Sequence, residues 1–254
     1  MSLLTLLTDF GLDDYFVAAV KGTVLRLAPG VAVIDISHGV PAGDVPTAAF
    51  LLGAAWSAFP RGAVHLAIVD PGVGSERRIL ATELDGSFFV APDNGLLTPI
   101  LEGSSVRQVT RRELFLDGPS ETFQGRDRFA PVAAHLLRGE PFQELGPTIA
   151  DPLKLDLKQP SREDGEIRGS VVHIDRFGNL VTNIPSGWLP GRPFEAQIDG
   201  RSVTAFATHY DQLVTGQPGI LPGSVGTLEI SLRGADLAAR WGIRRGADVR
   251  ILMS

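Results

Sequence analysis

Over its first 150 residues the chain switches repeatedly between two periods, and that switching limits its possible folds more than any other feature. Leu3–Thr8 and residues 31–36, 64–69 and 87–91 are short, almost wholly apolar runs of strand length. Between them, residues 13–27 and 45–59 repeat apolar side chains at helical spacing, as in Phe16, Val17, Val20, Val24 and Leu25. Residues 131–137 carry a further helical pattern. Strands alternating with helices predict an α/β domain with a mainly parallel sheet. Strands that are apolar along their whole length fit a sheet covered on both faces.

The pattern changes after residue 150. Residues 158–166 are polar and rich in breakers, and read as a linker. Beyond them come shorter alternating runs, at 169–175, 179–184, 194–198, 203–208, 227–232 and 248–252, separated by Gly and Pro. These predict a small, barrel-like all-β domain. The expected architecture is therefore an α/β domain over residues 1–157 and a β-barrel-like domain over 168–254.

Composition narrows the chemistry. With 254 residues, 44% of them hydrophobic, the chain can bury one or two real cores. It has no cysteine, which excludes disulfides, thiolate metal sites and a cysteine nucleophile. A net charge of −6 argues against general nucleic-acid binding. The first residues lack a basic region and meet Asp9 early, so no signal peptide is expected. Residues 45–59 contain Pro46 and fall short of the roughly 20 residues of a membrane span. A cytoplasmic protein is the expectation.

In open α/β sheets ligands bind beyond the carboxyl ends of the strands. The first strand here runs into Thr8-Asp-Phe-Gly11, the second into Asp35 and His38, and the third into Asp70-Pro-Gly-Val-Gly-Ser-Glu-Arg77. A strand-end Asp is often only the cap of the next helix. Asp70 fits that role poorly, because Pro71 and two glycines follow it instead of a helix. His38 and His65 read as structural residues, and His135 as a solvated or capping one. Gly72-Val-Gly74 is half of a dinucleotide fingerprint, but Arg77 stands where its last Gly belongs, and nicotinamide binding is rejected. Arg126 and Asp127 read equally well as a local ion pair and as ligand contacts. Phe177, beside Gly178-Asn179, is placed either in an ordinary turn or against a flat base. No His/Asp cluster at metal spacing occurs, and neither metal nor cofactor is expected.

Five segments together carry a resemblance. Thr8-Asp-Phe-Gly11, Val69-Asp-Pro-Gly-Val-Gly-Ser-Glu-Arg-Arg78, Ala91-Pro-Asp-Asn-Gly-Leu-Leu97, Thr122-Phe-Gln-Gly-Arg-Asp127 and Asp175-Arg-Phe-Gly-Asn179 fall in order along nearly the whole chain. They resemble the S-adenosyl-L-methionine (SAM) hydroxide adenosyltransferases, SAM hydrolases related to the fluorinase and chlorinase. The resemblance implies a homotrimer with the SAM site between the N-terminal domain of one subunit and the C-terminal domain of its neighbour. It implies hydrolysis of SAM to adenosine and L-methionine. Asp9 would hold the ribose hydroxyls, and Asp70 and Arg77 match two members of a water-handling Asp-Arg-His triad. Phe123 and Phe177 match aromatics near ribose and base, and Asn179 an adenine contact. The run from Ser224 through Glu229 to Leu232 matches the segment completing the nucleoside pocket. The departure is Gln124, which stands where the family usually has His and cannot take a proton at neutral pH.

Two rival functions remain in view. One is a SAM- or adenosine-binding module with little turnover, motivated by Gln124. The other is a halide-using enzyme, against which Asp70 speaks: the halogenases carry Tyr there, and a carboxylate repels an anion. A third, a metal-dependent phosphohydrolase using Asp9, Asp35 and Asp70, does not fit the Pro-Gly-rich loop after Asp70. On the hydrolase reading, Asp70 orients a water and can take its proton, while Arg77 holds Asp70 and stabilises developing hydroxide. Gln124 orients water or ribose.

Overall fold

The computed structural model describes residues 2–163, 165–189 and 194–253. The chain divides into two compact units, Met1–Leu155 and Asp156–Ser254. In the first, β1 (Leu3–Thr8), α1 (Phe16–Leu27), β2 (Ala32–Ser37), α2 (Val45–Ala55) and β3 (Val64–Ile68) follow in order. Then come β4 (Ile79–Leu84), β5 (Ser87–Pro92), β6 (Ser105–Gln108) and α3 (Ala130–Leu137). Among the described residues the sheet has six strands in the order β2-β1-β3-β5-β4-β6. The pairs β1/β2, β1/β3 and β3/β5 are parallel, and β4 runs antiparallel to β5 and β6. The expected mainly parallel α/β sheet is present, with an antiparallel extension on one side.

Alternation along the strands explains why both faces are covered. Leu4, Leu6, Val64, Leu66 and Ile68 point into a core shared with Val17, Val20 and Val24 of α1 and with the apolar side chains of α3 from Ala130 to Leu137. Leu7 and Ala67 point the other way, against Val45, Ala48 and Leu52 of α2. α1 starts at Phe16, with Asp13 and Asp14 in bends ahead of it. α2 starts where the Asp44 side chain accepts the Thr47 N–H at 3.1 Å, with proline in the first turn.

His135 departs from expectation. Every residue of α3 is buried, so His135 is fully enclosed instead of solvated. The chain curls back to meet it: Nε2 lies 3.2 Å from the Pro141 carbonyl and Nδ1 lies 2.7 Å from Glu140. His65 is structural, as read. It is buried beneath Phe89, with ring centroids 4.7 Å apart, and Thr5 Oγ1 lies 2.7 Å from its Nδ1. Burial pulls its pKa down to about 4.

The second unit holds β7 (Ser161–Glu163), β8 (Glu166–Ile174), β9 (Leu180–Pro185), β10 (Phe194–Ile198) and β11 (Arg201–Val203). They are followed by β12 (Pro218–Pro222), β13 (Thr227–Leu232), α4 (Leu237–Trp241) and β14 (Asp248–Met253). The antiparallel path is β11-β10-β14-β8-β9-β13-β12, with β7 on β8. Its ends approach: Ala207 N–H donates to the Ile220 carbonyl of β12, and Ile220 N–H to the Ala205 carbonyl, each at 2.9 Å. A nearly closed, barrel-like sheet results. Two expectations change here. The linker is partly sheet, because residues 161–163 pair with β8 as an edge strand; Asp164 lies outside the described residues. The run at 203–208 leaves the strand after Val203 and contributes only the bridge at Phe206.

Candidate active site

Three adjacent parallel strands end on the same side of the first sheet, and their ends carry the polar residues that the sequence singled out. Beyond β3, Asp70 enters a loop that turns back on itself: Val73 N–H donates to the Asp70 carbonyl at 3.2 Å, and Gly74 has φ +85°. The turn brings Arg77 against Asp70. Arg77 Nε donates to both carboxylate oxygens at 2.7 Å, and Nη2 closes on Oδ2. Both side chains are more than nine-tenths buried. The guanidinium stands over the Phe129 ring, 5.2 Å from its centroid.

Gln124 joins this pair from the other end of the unit. It precedes a π-helical turn, Gly125–Phe129, that leads into α3, a local distortion frequent at functional sites. Its Oε1 accepts from Arg77 Nη2 at 2.6 Å, and its Nε2 donates to Glu121 at 3.2 Å. Asp70, Arg77 and Gln124 therefore meet in one cluster. Asp127 is taken up locally: Arg126 pairs with it at 2.5 Å and Ser120 N–H donates to it at 2.7 Å. Chiefly the Arg126 hydrogen bond holds its carboxyl below the usual range. Arg77, Glu121 and Arg128 also line a cavity of about 780 Å³.

Asp9 follows β1. One of its oxygens accepts the Gly43 N–H at 2.8 Å, and Gly43 itself, at φ +72°, lies against Pro71. Asp35 turns to different partners, Lys21 at 2.6 Å and His38 at 3.1 Å. Burial works to raise its carboxyl, but these two partners outweigh it and hold the pKa below normal. His38 is buried, with Nδ1 2.7 Å from Thr8 Oγ1. The three acids of the phosphohydrolase alternative are thus engaged separately. Among the described residues no group of three or more His, Asp or Glu is placed to hold a metal ion. Phe123 is buried in an aromatic cluster with Phe10, Tyr15 and Phe16, at centroid distances of 6.2, 6.1 and 5.1 Å.

The second unit carries its own set. Asp175 accepts the backbone N–H of Phe177 and of Asn179 at 2.9 Å, and the Asn179 amide at 2.8 Å. This clasp buries Asn179 and leaves Phe177 74% exposed, the presentation a stacking residue needs. Ser224 is exposed in the β12–β13 turn. Glu229 is buried and accepts the Tyr210 hydroxyl at 2.5 Å. Burial first, and then Glu229, push the Tyr210 phenol well above its ordinary value, so it remains a donor. Leu232 points into the second unit's core.

Glu121, Gly43 and Tyr210 were not foreseen. Glu121 lies three residues before Gln124, a spacing that could have been read as a hydrogen-bonded pair. Tyr210 lies 19 residues from Glu229, across two strands, and no local pattern announces it.

Models of the SAM hydroxide adenosyltransferase N-terminal and C-terminal domains match residues 4–146 and 169–250. The chain belongs to the SAM hydroxide adenosyltransferase family. A relative from Thermus thermophilus, named (R)-S-adenosyl-L-methionine hydrolase, is 36% identical, with 97% of this chain and 98% of that protein covered. A fluorinase from an Actinoplanes species is more distant, at 27% identity over 98% of this chain and 97% of its own. The crystal structure of an uncharacterized conserved protein from Thermotoga maritima superposes with a TM-score of 0.91 at 33% identity, covering 98% of this chain and 99% of that one. In this chain the residue at position 124 is an amide, and the amide is bonded into the cluster with Arg77 and Glu121.

Proposed function

We propose that the protein hydrolyses SAM to adenosine and L-methionine. Water oxygen attacks C5′, the C5′–sulfur bond breaks, and the electron pair leaves with sulfur as the neutral thioether of methionine. The leaving group needs no proton. The site has to align water with carbon and take up the proton that water loses. The observation that carries this reading is the buried Asp70–Arg77–Gln124 cluster at a strand end. Asp70 accepts a hydrogen bond from the water, directs its lone pair and takes its proton as the oxygen–carbon bond forms; Arg77 fixes the carboxylate and favours developing hydroxide. Alignment of this kind is worth on the order of 7–11 kcal/mol in model systems, and proton acceptance roughly 10²–10⁴-fold. Water can donate to Asp70, whereas a halide has nothing to donate and meets an acceptor. Water is therefore the nucleophile.

The substrate's adenosine half falls to Asp9 for the ribose hydroxyls and Phe123 beside them. From the domain of residues 168–254, Phe177 stacks on the base, Asn179 meets its edge, and the segment Ser224–Glu229–Leu232 closes the pocket. In this reading the protein is a homotrimer, and each site joins the domain of residues 1–157 of one subunit to the second domain of its neighbour. Exposed apolar side chains support an interface on each unit: Leu12, Tyr15, Ile34 and Val73 on the first, Phe177, Phe206, Tyr210 and Val214 on the second.

Purified protein incubated with SAM is expected to release adenosine and methionine in equal amounts. Asp70→Ala and Arg77→Ala are each expected to lower kcat by about 10²–10⁴-fold. Binding of SAM by calorimetry without product over hours would favour the binding-module alternative. Unchanged turnover in both variants would remove the assigned chemistry.

A further inference from the structure

The two ends of the Gln124 amide are not interchangeable. Oε1 faces the Arg77 guanidinium and Nε2 faces the Glu121 carboxylate. Turned over, the amide would set donors against donors at Arg77 and acceptors against acceptors at Glu121. Gln124 is 99% buried and the Arg77 side chain nine-tenths buried, so water cannot relieve the mismatch at that end. At the other, the exposed Glu121 carboxylate would be left to water and the buried amide oxygen would lack a donor. Glu121 is itself anchored, because Arg128 Nη2 donates to its other oxygen at 2.7 Å. The order of groups is carboxylate, amide dipole, guanidinium, carboxylate, and each faces its electrostatic complement.

We propose that Glu121 is a positioning residue for the hydrolytic cluster: it fixes the sense of the Gln124 amide, and the amide in turn clamps Arg77 against Asp70. This rests on the hydrolase reading of Asp70 and Arg77. It also assigns Gln124 a task that needs no proton. A neutral imidazole at the same place could accept from Arg77 with one nitrogen and donate to Glu121 with the other. Protonated, it would have no acceptor left for Arg77 and would add a second cation beside it. The charged groups facing position 124 are Arg77 and Glu121, with Asp70 and Arg128 directly behind them. The amide keeps the clamp closed on both sides of the histidine range.

The test compares wild type, Glu121→Ala, Glu121→Gln and Gln124→His in SAM turnover across pH. Glu121→Ala is expected to lower kcat about tenfold with KM for SAM within about twofold of wild type. Glu121→Gln keeps an oxygen for Gln124 Nε2 and is expected to stay within about threefold of wild type. Gln124→His is expected to acquire an acid limb at or below about pH 6.5, because burial and the Arg77 cation both disfavour the imidazolium, and wild type has no group at that position to titrate. Wild-type kcat in Glu121→Ala, or equal losses in Ala and Gln variants, would overturn the proposal. So would a Gln124→His rate above wild type at alkaline pH, the sign of a missing base. A readout without substrate separates this from the hydrolase reading: exchange of the Arg77 Nε–H with water, followed by ¹⁵N-edited NMR. Faster exchange in Glu121→Ala than in wild type and Glu121→Gln is expected. Equal exchange defeats the clamp, whereas absence of adenosine from wild type defeats the hydrolase.

Discussion

His38, His65 and His135 are all buried at structural positions, and the Asp70 cluster is built from a carboxylate, a guanidinium and an amide. Acid should therefore act on this protein through its fold before it acts through its chemistry. His65 is the sharpest case. Its folded pKa of about 4 lies below the unfolded value, so folding disfavours the proton. A depressed pKa contributes stability that is present above the unfolded value near 6.5 and is lost as pH falls through 4. Over that window the loss is roughly 3 kcal/mol. Urea midpoints measured at about pH 7 and about pH 4.5 are expected to fall accordingly. His65→Leu should flatten this slope while lowering stability at neutral pH, since it leaves Thr5 Oγ1 without its partner. An unchanged slope in the variant would assign the acid sensitivity elsewhere. The sequence identified His38 and His65 as structural but read His135 as solvated or capping, because a helical period cannot reveal a helix buried all round.

Elements carry the site through their ends, and one end is a sharp test. In the loop between β8 and β9, Gly178 has φ +81°, and a Cβ there would stand 2.0 Å from Asp236 Oδ1. Asp236 cannot yield easily, because the same oxygen caps α4 by accepting the Ala239 N–H at 2.7 Å. Gly178→Ala is expected to destabilise the second unit by about 2–4 kcal/mol and to displace Phe177 and Asn179. KM for SAM should then rise more than kcat falls. Gly234, at φ +76° with open space around it, supplies the comparison: Gly234→Ala should cost about 1 kcal/mol and leave KM alone. Equal effects would mean that backbone strain alone matters at Gly178. The same scale explains what the sequence concealed. The parallel strands β1, β3 and β5 were legible because covered strands are continuously apolar, and β2, though half-exposed at the sheet edge, shares that apolar run. β4 was missed although Asp85-Gly86, with φ +50° and +76°, makes the two-residue hairpin turn that joins it to β5. β12 was missed because prolines mark both its ends, which reads as loop until the pairing with β13 is seen. The cluster's members were legible one by one. Their joint geometry was not, because 47 residues separate Arg77 from Gln124.

At the scale of the whole molecule the proposed site belongs to two subunits, and that makes it separable by genetics. Asp70 lies in the first unit, and Asn179 in the second. If each site joins the first domain of one subunit to the second domain of the next, Asp70→Ala and Asn179→Ala homotrimers each lose every site. Unfolding and refolding an equal mixture produces trimers of both variants. A site is intact wherever an Asn179→Ala subunit supplies the first domain and an Asp70→Ala subunit supplies the second. Random assembly makes that about one site in four, so about a quarter of wild-type turnover should return. Refolding each variant alone supplies the baseline. A site completed within one subunit predicts no recovery, because every subunit then carries its own lesion. Chromatographic mass measured on the same samples and on wild type separates the outcomes: trimers without recovery would place the site inside the subunit, and a fully active monomeric wild type would remove the shared site altogether. Recovery of about a quarter requires a site shared between subunits, and the chromatographic mass then tells whether the assembly that shares it is a trimer.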